Sequence, residues 1–263
     1  MSEIYNLHTH TVYCDGKDTP EELVIEAINK GMSAIGFSGH MNSFDSEVSM
    51  SREGEARYLE EINALKEKYK GQIRILAGVE RDYYETEPML DYDYVIGSVH
   101  YFKIGDEYMS MDHSVPFFEK LLSECGNIRV LCENYFSLIG DTLSKMTPDI
   151  IGHFDYPCKF NAGGVYYDED DPVYIKNATD AMEKLCHIPF EVNTGAGARG
   201  YKNHPYPSIP LLKRLKDMGG RVVFSSDCHS KENLDFRYDD ALEYIRAAGF
   251  ERFLTLDEVK QWK

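Results

Sequence analysis

Seven short apolar segments recur along the chain, at 4–7, 34–38, 73–79, 94–99, 149–152, 190–193 and 221–225, with helical stretches between them. Each has the length of a strand and is too short for a buried helix. The intervening segments carry helix signals. Thr19-Pro20-Glu21-Glu22 sets a capping residue before a proline in the first turn, and Gly31 ends that helix. Further helices are expected at 51–69, 116–123, 128–143, 173–186, 209–218 and 238–248. Strands that alternate with helices run parallel, and seven such units predict an α/β barrel in a single domain spanning 1–263. The competing α/β arrangement is an open doubly wound sheet. No GxGxxG follows the first strand, which weakens its dinucleotide-binding version.

The carboxyl ends of these segments carry the chemistry. In chain order they read Leu7-His8-Thr9-His10, Gly39-His40, Val79-Glu80, Gly97-Ser98-Val99-His100 and Gly152-His153-Phe154-Asp155; then Asn193, leading to Arg199; then Ser226-Asp227-Cys228-His229. Barrel enzymes build their sites on that rim. A lone histidine after a strand is ordinarily a hydrogen-bonded loop residue. Six of the nine histidines lie at strand ends, together with Glu80 and Asp227, and that joint pattern outweighs the ordinary reading of each. Neutral imidazole and carboxylate suit Zn, Mn or Fe. Strand alternation puts His8 and His10 on one face, and Asp227-x-His229 repeats the spacing. Glu80 is placed to bridge two ions. Eight ligands, or nine with Asp15, exceed what one tetrahedral ion takes, so two or three divalent ions are expected.

Composition narrows the partners. Twenty-eight basic residues against 45 acidic ones give a formal charge of −17, which argues against nucleic acid and anionic membranes as partners. The six cysteines are scattered without a CxxC pair, and neither an apolar leader nor a membrane-length apolar run is present. A reduced, cytoplasmic protein is expected. Cys14 and Cys228 flank ligand positions without a nearby base in a nucleophile pattern and read as wall residues. His113 and His187 have no motif around them and read as structural or surface residues.

The ordered set His8-Thr9-His10-Thr11, Ser38-Gly39-His40, Gly78-Val79-Glu80, Gly97-Ser98-Val99-His100, Gly152-His153-Phe154-Asp155 and Ser226-Asp227-Cys228-His229 resembles the PHP (polymerase and histidinol phosphatase) superfamily. More narrowly, it is similar to the monofunctional histidinol-phosphate phosphatases within it. The resemblance runs from residue 8 to residue 229. It implies a distorted (β/α)7 TIM-like barrel with a trinuclear centre. On that resemblance His8, His10, Glu80 and Asp227 hold the first ion, Glu80, His100 and His153 the second, and Asp15, His40 and His229 the third. Many relatives carry histidine near the position of Asp15.

The resemblance further implies a phosphoric monoester hydrolase that converts L-histidinol phosphate to L-histidinol and phosphate, in histidine biosynthesis. The alternative is a phosphoesterase of the same family acting on another phosphomonoester, a phosphotyrosine protein or a nucleotide. A regulatory metal-binding barrel would show gaps in the ligand set, and none is seen. A metal-dependent amidohydrolase would commonly use a bridging lysine, and no lysine stands at a strand-end ligand position. Ions sharing Glu80 would activate water for in-line attack on phosphorus. Asp227, His229 or a metal-bound water would protonate the leaving alkoxide. Arg199 matches a family arginine that grips phosphate, and its Gly-rich segment reads as a flexible loop. Lys159 stands where relatives often carry a second arginine, and it offers a point charge without fork geometry. In Asn203-His204-Pro205-Tyr206-Pro207-Ser208 an acidic residue common in relatives is replaced, leaving His204 as a substrate contact or a helix cap. Tyr83, Tyr84 and Tyr101 are candidates for the walls of an imidazole pocket.

Overall fold

The computed structural model describes residues 3–260. The chain runs β1 (Tyr5–Asn6), α1 (Pro20–Asn29), β2 (Ala34–Phe37), α2 (Arg52–Lys68), β3 (Arg74–Asp82), β4 (Tyr94–Ser98), β5 (Tyr101–Ile104), β6 (Glu107–Ser110), α3 (Val115–Cys125) and α4 (Ile128–Gly140). It continues through β7 (Ile150–Ile151), α5 (Pro172–Leu185), β8 (Phe190–Asn193), α6 (Gly195–Ala198), α7 (Ile209–Asp217), β9 (Val222–Ser225), α8 (Tyr238–Ala247) and α9 (Leu256–Val259). Seven strands pair in parallel in the order β1-β2-β3-β4-β7-β8-β9. The first and last strands meet just beyond their ends. Thr9 bridges Cys228 in parallel, and the His10 amide donates to the Cys228 carbonyl at 2.9 Å. The result is a nearly closed, distorted TIM-like barrel, as the strand pattern predicts.

The predicted strands all occur in their predicted places. Four elements were not anticipated. Residues 101–110 form the antiparallel hairpin β5–β6, turning at Gly105 with φ +63°. The Gly-rich segment after β8, expected to be a flexible loop, is instead the helical turn α6, and α9 lies beyond the last predicted helix. The α1 start follows the sequence signal closely: the Thr19 side chain accepts from the Glu22 amide, and the Glu22 carboxylate accepts from the Thr19 amide.

Alternation along each strand divides the core into layers. Ile35, Phe37, Ile75, Ala77 and Val79 face α1 and α2, while Ile151, Phe190, Val192, Val222 and Phe224 belong to the opposite helical layer. Inside the barrel, Tyr5, Leu7, Ala34, Leu76, Tyr94, Ile96, Ile150 and Val223 form an apolar plug with Leu256 and Val259 of α9. One pleat higher the inward positions become polar: Glu80, Ser98, Glu191 and Asn193 are all nearly inaccessible.

Tyr94 marks the transition. Its buried hydroxyl donates to the Leu7 and Phe37 carbonyls, fastening β4 to the ends of β1 and β2. The ring lies against Gly78, where an added Cβ would stand 2.2 Å from Tyr94 Cζ. Gly78→Ala is therefore expected to destabilise the protein by about 1–3 kcal/mol. Chemical denaturation measures this directly, and an unchanged midpoint would show that the ring can give way.

Candidate metal centre

The polar layer gathers all nine predicted ligands. Three groups each bring their ligand atoms within 4.8 Å of one another: His10, Asp15, His40 and His229; His8, His10 and Asp227; Glu80, His100 and His153. Glu80 is central. Its Oε2 lies 3.1 Å from His8 Nε2 and 3.2 Å from His40 Nδ1, and its Oε1 lies 3.0 Å from His153 Nε2 and 3.4 Å from His100 Nε2. His10 joins two groups, with Nε2 3.2 Å from Asp227 Oδ1 and Nδ1 3.2 Å from Asp15 Oδ1. The resemblance assigned His10 to the first group alone, so its second contact is new.

The backbone is shaped around these side chains. Asp227 adopts φ +46°, unusual for a residue with a Cβ and a form of strain that marks functional sites. Gly195 makes room for it: a Cβ there would approach Asp227 Cβ and Oδ2 to 2.9 Å. Asn193 Nδ2 donates to the same Oδ2 at 3.4 Å.

Further residues orient these ligands, and of them Glu191 and Asp82 have no strand-end signature. Glu191 Oε1 accepts from His8 Nδ1 at 2.7 Å, turning the Nε2 of that ring towards Glu80, and its Oε2 accepts from the His153 amide at 3.1 Å. Carboxylates behind metal-binding imidazoles serve this purpose generally. Asp82 Oδ2 accepts from the His100 amide at 2.7 Å, and Ser98 donates to Glu80 Oε1 at 2.6 Å. The available signal for Glu191 was an acid within an otherwise apolar strand segment, Phe190-Glu191-Val192.

The electrostatics call for positive charge. Burial works against ionisation of Glu80, yet His8, His100 and His40 hold its carboxyl well below the usual range. Asp227, likewise opposed by burial, is held well down by Arg199 and His8, and Asp15 is lowered by His40 and His10. The histidines divide. Burial and the neighbouring His10 and His100 push His40 down to about 4, against Glu80 and Asp15. His100 rises to about 9 because Glu80 and Asp82 overcome its burial, and His8 rises because Glu191, Glu80 and Asp227 do the same. His8 Nε2 and His10 Nε2 are buried without hydrogen-bond partners, facing carboxylates. Imidazole nitrogens and ionised carboxylates converging in this way fit divalent cations.

The cavity over these groups has a volume of about 180 Å³. Arg199 and Lys159 both line it. Arg199 Nη2 donates to Asp227 Oδ2 at 3.0 Å, and Nη1 reaches His229 Nδ1 at 3.1 Å. Lys159 is tethered by Asp112, donating to its Oδ2 at 3.1 Å and to its carbonyl at 3.0 Å. Asp112 and Tyr156, neither anticipated, complete that wall; the Tyr156 ring stacks on His153 at 4.1 Å between centroids. His204 is placed elsewhere. It lines a separate cavity of about 570 Å³ with Glu169 and Lys202, which shares no lining residue with the metal cavity.

Tyr101 faces a small recess beside the metal centre, whereas Tyr83 and Tyr84 line neither that recess nor the metal cavity. Cys14 packs at 3.6 Å from His10 Nδ1, Cys228 is buried, and none of the six cysteines forms a disulfide. His113 lies against Phe117, and the His187 carbonyl accepts from Arg221. Glu85, unremarked in the sequence, is 6% exposed beside the centre, and its Oε1 has no hydrogen-bond partner. Burial, with the nearby Asp82 charge, pushes its carboxyl up to about 8.

A parallel barrel with three groups of histidine and carboxylate donors at its strand ends defines a metal-centred barrel protein. Comparison with known proteins narrows the class. The PHP domain model matches residues 6–194. The probable histidinol-phosphatase of Deinococcus radiodurans is 30% identical over 261 residues, covering 95% of each chain. The histidinol-phosphatase of Bacillus subtilis is 28% identical, over 90% of this chain and 97% of its own. The structure of histidinol phosphate phosphatase from Lactococcus lactis, complexed with Zn, L-histidinol and phosphate, superposes with a TM-score of 0.69 at 21% identity and covers 97% of both chains. The chain belongs to the PHP domain family.

Two outcomes follow from this geometry. Glu191→Gln, which loses the charge behind His8, should weaken metal binding roughly 10- to 100-fold, measured by chelator competition; unchanged affinity would refute its orienting role. Glu85→Gln should alter the dependence of stability on pH. The folded carboxyl titrates near 8 and the unfolded one near 4.5, so the wild-type chain loses stability as pH rises between those values. The variant lacks that loss. Its advantage in thermal midpoint should be absent at pH 4 and level off above pH 8; a constant difference would contradict the raised pKa.

Proposed function

We propose that this chain is a metal-dependent phosphomonoesterase that hydrolyses L-histidinol phosphate to L-histidinol and phosphate, acting in the cytoplasm in histidine biosynthesis. The observation that carries the proposal is the convergence of nine ligand donors in three adjoining groups, seven of them lining one cavity with Arg199 and Lys159. The 95% coverage of a relative bearing that activity in its name supports the choice of substrate. Among the described residues no helix is long and apolar enough to cross a membrane.

Uncatalysed monoester hydrolysis is among the slowest of biological reactions. Divalent ions, when bound, supply an acidified water and neutralise phosphoryl charge. The metal ligands are assigned as His8, His10, Asp15, His40, Glu80, His100, His153, Asp227 and His229. Arg199 binds the phosphate, since its fork already reaches across the mouth of the cavity between Asp227 and His229. Lys159 adds a point charge limited by its pairing with Asp112. Asp227, kept ionised by Arg199 against its burial, orients the attacking water and takes its proton, which passes from Asp227 or through His229 to the alkoxide oxygen that leaves as the P–O bond breaks. His229 stands at the cavity mouth, 3.0 Å from Asp15 Oδ2 and 3.1 Å from Arg199 Nη1. His204 lines the second cavity and is given no part in this mechanism.

The proposal is tested by comparing kcat/KM for L-histidinol phosphate, other monoesters and a chromogenic ester. L-Histidinol phosphate should be preferred by about 100-fold or more, roughly 3 kcal/mol of differential transition-state binding. No preference would refute the substrate assignment and leave a phosphatase of another specificity. Glu80→Ala and His10→Ala should both abolish turnover and lower metal content. Persistent activity with unchanged metal would refute the catalytic role of the centre.

A further inference from the structure

A recess opens beside the metal centre, and His40, Glu80 and His100 belong to both its wall and that of the main cavity. Its volume is about 20 Å³, enough for a single group the size of water or ammonium but not for a ring. The remaining wall includes Asp82, Glu85 and Tyr101. The two acids differ in their engagement. Asp82 accepts from the Tyr84 amide at 2.9 Å with Oδ1 and from the His100 amide at 2.7 Å with Oδ2. Glu85 Oε1 is buried and has no hydrogen-bond partner, although Ser43, also in the wall, hydrogen-bonds the carboxyl. The guanidinium of neighbouring Arg81 donates to the Glu85 backbone carbonyl at 3.0 Å rather than to its carboxylate.

A buried acceptor without a donor is costly, and a carboxylate more so than a neutral group. Such a group is stabilised when a cationic donor enters. Resting on the reading above, we propose that Glu85 is a specificity-determining residue that receives the ammonium group of a phosphate ester bearing a primary amine close to its ester oxygen. The position agrees with that chemistry. The recess adjoins the ligands that face the phosphate, so a group held there lies only a few bonds from phosphorus. The site is thereby polarised: Arg199 and Lys159 serve the anionic end of the substrate, and Glu85 serves its cationic end.

The experiment compares L-histidinol phosphate with the same ester lacking the amine, using metal-loaded wild-type and Glu85→Gln protein. Thermal midpoint and metal content verify that the isosteric variant is folded and loaded. The wild type should favour the amino ester in kcat/KM by about tenfold or more, and the variant should lose most of that ratio. A wild-type ratio near one overturns the ammonium site while leaving the phosphatase reading intact. A ratio unchanged in Glu85→Gln overturns the role of Glu85. If the wild type hydrolyses neither ester, the phosphatase reading fails separately. Calorimetry of L-histidinol and its deamino analogue then decides the recess on binding alone, an equal affinity for both overturning it.

Discussion

A carboxylate held inside a barrel dictates much of what surrounds it. Glu80 projects from β3 into the interior at 2% exposure, where an isolated ionised acid would be far too costly to bury. Five imidazoles approach its two oxygens, from the segments that follow β1, β2, β4 and β7. Glu191 in turn holds His8 and the His153 amide, and Asp82 holds the His100 amide. Each acid brought in to orient a histidine adds negative charge, so the network closes electrostatically only with cations at its centre. The raised pKa values of His8 and His100 express that demand in protons. A multivalent metal centre meets it with less strain than a cluster of imidazolium ions, because an ion's own charge dominates its local field.

The barrel geometry makes this concentration affordable. Its amino-terminal half is filled by apolar side chains under Tyr94, and only the carboxyl ends of the strands turn polar. Closure occurs at Thr9 and Cys228, between His8 and His10 on one segment and Asp227 and His229 on the other. Ligands more than two hundred residues apart are thereby set by a single backbone pairing. The strained Asp227 and the close approach of Gly195 lie at the same seam. Local backbone strain is thus held where rigid strand pairing can resist its relaxation.

Much of this was legible because it is local in the sequence. A strand end is marked by a few residues, and a ligand placed on it is visible from spacing alone, as in His8-Thr9-His10 and Asp227-Cys228-His229. The groups that escaped notice are defined by distant neighbours. Glu191 is an ordinary acid until β8 sets it behind His8, 183 positions away. Asp112 belongs to the loop after an unexpected hairpin, and only folding puts it on Lys159. Arg199 lines the cavity, and its support is a helical turn rather than a loose loop. His204, adjacent to a motif that resembled a substrate element, faces another cavity because its segment turns away behind Tyr206.

The formal charge of −17 gains a different meaning at this scale. Net charge governs solubility and the avoidance of polyanions, and it does not dictate the field inside a cavity. Asp15, Glu80 and Asp227 are three of the 45 acids, and in a metal centre their charge serves to hold cations. With Arg199 and Lys159 at the rim, the cavity that holds them can attract an anion although the protein as a whole repels one. Glu85 stands apart from that balance, since its Oε1 has no hydrogen-bond partner and it belongs to none of the three ligand groups. A site meant only for phosphate gains nothing from an additional buried acid. A site for a molecule carrying both charges requires one, set to the side of the anion's position, and the recess under Glu85 has that placement.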